Sequence, residues 1–201
     1  MAINRAIELK DQGREVTLVD LDIVEPFYTL RPLVKILKTK GINVIAFNRN
    51  QSFGLGETGV MLNPKAKWAL KNEGDIILDI GYGVNGARTL NLVEGANESL
   101  DLKVIMVINF ARPMTNSGER IKEYIKSLER VDGIVANTHL GDDNDPEFII
   151  AGNNIIIQVA GEIQIPVEYI AIDKKNKDLI FIEDCSIPVK FITRYMPDAI
   201  W

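Results

Sequence analysis

Short, almost continuously apolar runs recur along this 201-residue chain, separated by longer stretches whose apolar residues fall at helical spacing. That alternation constrains the fold more than any other feature. EVTLVDL (15–21), INVIAF (42–47), DIILDI (75–80), KVIMVIN (103–109) and DGIVAN (132–137) suit strands covered on both faces, not a sheet with one wet face. Helices are expected between them. Ala2, Ile3, Ala6, Ile7 and Lys10 share one face of a helix over 2–12, which Gly13 would close. A second helix runs over 33–40 to Gly41, and a third over 64–73 opens on Pro64, whose missing N–H costs nothing at a first helical position. A fourth, over 117–130, sets Ile121, Tyr124, Ile125 and Leu128 on one side. Strands joined by helices predict a parallel sheet between two helical layers, an α/β chain of three-layer α/β/α type.

Composition narrows the function classes. Hydrophobic residues at 46% and charged residues at 25% belong to a folding chain and exclude disorder. With 23 Lys and Arg against 28 Asp and Glu, the net charge is −5, and no cationic cluster offers to neutralise phosphates, so no nucleic-acid partner is expected. The lone Cys185 and lone His139 exclude an intramolecular disulfide and a structural zinc set. No apolar run is long enough for an integral membrane segment, and a cytoplasmic protein is expected. At 201 residues a single domain over 1–201 is expected.

Two segments match G-x-G-x-x-G. Gly54, Gly56 and Gly59 lie seven residues past a strand, with Pro64 interrupting any immediate helix, so the strand, turn and helix of a dinucleotide site are not contiguous. Gly81, Gly83 and Gly86 follow DIILDI directly, and a helix starting near Ala87 would make a Rossmann-type site for NAD or S-adenosylmethionine. Against it, the next strand ends in Val107, Ile108 and Asn109, with no carboxylate for a ribose, and two strands already precede the turn.

The aspartates are more informative. Asp20 and Asp22 stand at the carboxyl end of one apolar strand and Asp79 at that of another, the edge at which open α/β sheets bind ligands. Carboxylates there can hold a magnesium-bound water and orient an attacking one, and the glycine after Asp79 lets backbone approach a phosphate. Singly, each also reads as a residue that solvates a loop. Asn137, at a later strand end, can donate to and accept from a purine edge or close a turn on its own backbone. His139 has no Ser or Cys partner and reads as a loop or packing residue.

Taken together, AINRAIELKDQGREVTLVDLDI, DIILDIGYGVNGARTL, IMVINFARPMT and IVANTHLGDDNDPE resemble, in that order, segments of the MinD/ParA and cobyrinic-acid-synthase (CobQ/CobB) group of P-loop ATPases. The resemblance implies a P-loop NTPase-like fold binding ATP and Mg2+, with Asp20 and Asp22 in catalysis, Asp20 and Asp79 serving the metal, Gly81 near the γ-phosphate and Asn137 at adenine. It also implies a homodimer and a protein client that the sequence does not name. It turns the opposed signals over 146–163, where IIIQV favours a strand and Pro146 a helix, toward a helix; VEYIAI (167–172) and DLIFIED (178–184) follow as strands.

In one respect the chain departs from the group. No G-x-x-x-x-G-K-[ST] occurs in the 201 residues, so the backbone cradle, lysine and hydroxyl that hold phosphate and metal are not among them. By that resemblance about 20 to 30 residues, a strand and its phosphate loop, would precede Met1. The sequence alone leaves two explanations, a fragment of an ATPase or a non-catalytic relative serving as a scaffold. On either, the chain as written is expected to bind ATP weakly.

Overall fold

A computed structural model describes residues 1–24, 30–47, 62–143, 145–178 and 186–196. It divides into two compact units, Met1–Leu100 and Asp101–Trp201.

The first unit is built on a three-stranded parallel sheet of β1 (Val16–Leu21), β2 (Asn43–Ile45) and β3 (Asp75–Ile80), in the order β2-β1-β3. Helix α1 (Ala2–Asp11) buries Ile3, Ala6 and Leu9 and lies on β1 and β3. It ends as its sequence predicts: Gly13 takes a φ of 80°, and the N–H groups of Gly13 and Arg14 close on the carbonyls of Lys10 and Leu9. A short 3-10 helix, Arg31–Leu33, runs into α2 (Val34–Thr39), which Gly41 stops at a φ of 78°. The chain steps from β1 to β2 and then back across β1 to β3. With the right-handed crossovers that parallel strands require, these opposite steps put the connecting helices on opposite faces.

Between β2 and β3 the helix expected over 64–73 exists over Pro64–Lys71, but as 3-10 turns broken at Trp68 (φ −105°). Asn63 caps it, accepting from the Lys65 N–H, and Lys67 and Lys71 lay their ammonium groups over the exposed Trp68 ring. Every residue of β1 is buried, whereas every residue of β3 keeps some surface. The reason is position: among the described residues β3 pairs only with β1 and is an edge of its sheet. After β3 come α3 (Gly83–Ala87) and a 3-10 turn, Arg88–Leu92.

The second unit holds a four-stranded parallel sheet in the order β4 (Ile105–Ile108), β5 (Gly133–Ala136), β6 (Val167–Asp173), β7 (Val189–Ile192). Met106, Ile108, Ile134, Ala136, Ile170 and Ile172 form a core with Ile121 and Ile125 of α4 (Gly118–Ser127) and Ile149, Ile156 and Val159 of α5 (Pro146–Glu162). Ser117 caps α4 through the Arg120 N–H, and Asp145 caps α5 through the Glu147 N–H, with Pro146 at the first turn. The ambiguous segment is thus helical: its cap and buried stripe override the strand propensity of IIIQV. Of the strand anticipated over 178–184, residues 179–184 lie outside the described residues, as do Cys185 and Gly54, Gly56 and Gly59.

Both sheets are parallel and the fold is α/β, as the sequence pattern requires. Among the described residues no helix is long and apolar enough to cross a membrane.

Candidate functional site

Parallel pairing brings the predicted carboxylates of the first unit together. Asp20 of β1 and Asp79 of β3 are partners in the ladder, which sets their Cα atoms about 4.8 Å apart at the carboxyl ends of both strands. Asp22 lies just past β1 and turns its carboxylate onto Gly81, where a Cβ would collide with its Oδ1. The same oxygen accepts from the Val24 N–H at 2.9 Å. Thus Asp20, Asp22, Asp79 and Gly81 form one cluster.

Charge is concentrated there at a cost. Burial, with the neighbouring Asp20 and Asp22 charges, pushes the Asp79 carboxyl up to about 6, a rise only partly offset by the positive amino terminus. Burial also lifts Asp20 above the usual carboxylate range, against the pull of Arg31. The Arg31 Nε donates to Asp20 Oδ2 at 2.8 Å, with the side chains only 12% and 1% exposed, and the other oxygen, Oδ1, accepts from the Asp22 N–H at 3.3 Å. Removing one partner from a buried pair of this kind costs about 3 to 5 kcal/mol, because the remaining charge stays buried. Sequence reasoning missed Arg31. It stands eleven residues beyond Asp20 in an unremarked LRP, and no spacing rule links the two.

The glycines after Asp79 have packing reasons. Gly83 has a φ of 79°, which an L side chain rarely adopts. A Cβ on Gly86 would overlap the Gly81 carbonyl, so α3 can close on the end of β3 only with glycine there. Thr89 then donates its hydroxyl to the Gly86 carbonyl at 2.7 Å. The helix that a dinucleotide site needs near Ala87 does not start there: α3 ends at Ala87 and a 3-10 turn follows.

Asn137 belongs to the second unit. It follows β5, half-buried, with its N–H bonded to the Ile108 carbonyl at 2.8 Å. The loop it opens is held by Asn109, whose Oδ1 accepts from the N–H groups of Ala111 (3.0 Å) and His139 (3.2 Å) and whose Nδ2 donates to the His139 carbonyl (3.1 Å). His139 Nδ1 accepts from the Gly141 N–H, while burial and the charges of Arg194 and Arg112 lower its affinity for a proton. It lies half-buried in the loop that Asn109 holds.

Among the described residues no three His, Cys, Asp or Glu side chains are arranged to hold a metal ion. The Asp20–Asp79 pair nevertheless suits Mg2+, a hard cation that commonly takes one or two carboxylates and completes its shell with water and substrate phosphate.

No family model matches the chain, and no curated protein matches its sequence. Solved structures do match its fold. The signal recognition particle receptor FtsY of Elizabethkingia anophelis superposes with a TM-score of 0.56 at 17% identity, over 90% of this chain and 56% of that one. Chloroplast FtsY of Physcomitrella patens gives 0.50 at 14% identity, over 84% of this chain and 52% of that one. FtsY has a P-loop NTPase fold. The chain shares it. An alanine racemase of Clostridium difficile 630 gives 0.33 at 12% identity over 94% of this chain and 54% of that one, too low to bear on the architecture. The chain therefore spans little more than half the length of either FtsY structure, and at these identities the likeness concerns fold alone.

Proposed function

We propose that this chain is the nucleotide-binding core of an ATP-dependent protein of the MinD/ParA and cobyrinic-acid-synthase type. One observation carries the reading: Asp20 and Asp79 meet in register at the carboxyl ends of adjacent parallel strands, with Asp22 and the Gly81 backbone beside them. That is where a P-loop NTPase-like fold needs oxygen ligands for the cation accompanying a triphosphate. Asp79 and Asp20 would hold Mg2+, which when bound neutralises developing charge on phosphate. Asp22, half-exposed, would be the carboxylate that orients a water. By resemblance alone, Gly81, which is buried against the Asp22 carboxylate, is assigned to the γ-phosphate and Asn137 of the second unit to the base.

The phosphate cradle is not among the 201 residues, which removes several charge-assisted contacts worth about 1.5 to 3 kcal/mol each. Binding of ATP–Mg by the 201-residue chain is therefore expected in the millimolar range. Calorimetry with ATP–Mg, GTP–Mg, NAD and S-adenosylmethionine tests this. Weak ATP–Mg binding that disappears in the Asp20→Asn, Asp79→Asn double variant supports the proposal. Tight binding of NAD or S-adenosylmethionine, or preference for GTP, overturns it.

A second reading, a non-catalytic relative acting as a scaffold for a protein client, is favoured by the Asp20–Arg31 pair, which occupies a carboxylate that a metal would otherwise use.

A further inference from the structure

The carboxylate cluster already contains a cation. Three aspartates converge at the ends of β1 and β3, and the charge facing Asp20 is the Arg31 guanidinium, 2.8 Å from Oδ2 and nearly as buried as its partner. The way Arg31 arrives there is specific. Its backbone opens the Arg31–Leu33 turn, held on one side by Leu30, which is fully buried, and on the other by Leu37 of α2, which is 1% exposed. The flanking backbone is anchored by these buried leucines, while the Arg31 side chain has four rotatable bonds with which to leave. An arginine is also suited to the task chemically: always charged, weakly hydrated for a cation, and able to engage phosphate as readily as carboxylate.

We propose that Arg31 is an internal counter-ion standing in for a divalent cation at the Asp20–Asp79 strand ends, exchanged for that cation when it binds. Without the cation, Arg31 keeps a buried carboxylate paired. With it, two positive groups compete for the same oxygens and the guanidinium gives way, turning toward anionic ligand. This inference rests on the reading of the strand ends as a metal and phosphate site, and it adds the residue that holds the site closed.

The test uses Mn2+ alone as the probe, followed by electron paramagnetic resonance on the 201-residue chain, so that no turnover is needed. Arg31→Gln is expected to bind Mn2+ roughly ten- to a hundred-fold more tightly than the parent, the factor lost when a charge-assisted bond no longer competes. Arg31→Lys, which keeps a charge but not the Nε contact, should fall between them and serves if the Gln variant folds poorly. Thermal melts give an independent signature: Arg31→Gln melts lower than the parent in chelator and recovers on adding Mn2+, while the parent changes little. Adding Asp20→Asn to both backgrounds should abolish the difference between the parent and the Arg31→Gln variant. Equal or weaker Mn2+ binding by both Arg31 variants overturns the exchange and leaves the carboxylate site standing. No Mn2+ binding by parent or variants removes the site itself, and the exchange with it.

Discussion

Replacing Asp79 by Asn should make the protein more stable, and by an amount that depends on pH. The carboxyl sits at the end of β3 with burial pushing it to about 6 from an unperturbed 3.8, so the folded state favours the protonated acid. A folded-state value above the unfolded one means that stability is fully present below about 3.8 and is lost as pH rises through about 6. The difference of roughly two pH units sets a ceiling of about 3 kcal/mol on the cost of ionising Asp79 in place. Asn has the same shape and no charge, so the variant escapes that cost. At pH 8 it should gain up to about 3 kcal/mol, a rise in melting temperature of about 6 to 12 °C for a chain of this size. At pH 4.5, where only part of the shift is felt, the gain should shrink to about 1 kcal/mol. Differential scanning calorimetry of both proteins between pH 4.5 and 8 measures it. A variant no more stable than the parent at pH 8, or equally stabilised at both ends of the range, would refute the assignment of burial as the dominant force on this group.

Further substitutions test the local geometry. Gly86→Ala should cost about 3 kcal/mol because its Cβ meets backbone, the Gly81 carbonyl, whereas Gly83→Ala, strained only in φ, should cost about 1 to 2 kcal/mol; urea unfolding ranks them, and the reverse order would sink the packing account. Asn109→Ala should destabilise the second unit by about 2 to 4 kcal/mol and speed amide exchange at Ala111 and His139, whose N–H groups lose their acceptor; unchanged exchange there would show that Asn109 does not hold the loop.

What could be read from the sequence follows the range of the forces involved. DIILDI was legible as β3 to the residue, because its apolar run lies between Gly74, at a φ of 80°, and Gly81. Helix α5 was legible at its first turn from Pro146, and its opposed strand signal was settled by burial of Ile149, Ile156 and Val159, a tertiary effect. INVIAF shrank to three strand residues, and the Pro64 helix became 3-10 turns broken at Trp68, where no periodicity rule distinguishes the two helix types. Neither β7 nor the short α3 was anticipated, each being too brief to establish a period. The juxtaposition of Asp20, Asp22, Asp79 and Gly81 was legible because strand ends can be seen in one dimension. Arg31 and the bridging role of Asn109 were not, since their contacts span eleven and thirty residues of chain and depend on which way a side chain turns.

The turn after β3 has a mechanical consequence. Three glycines in six residues would ordinarily describe a slack tether. Here the middle one sets a sharp bend and the last rests its backbone on the carbonyl of the first, while Thr89 is tied to that last glycine's own carbonyl. The segment is therefore held against the strand end at two points, and its glycines serve close approach of backbone to backbone, not slack.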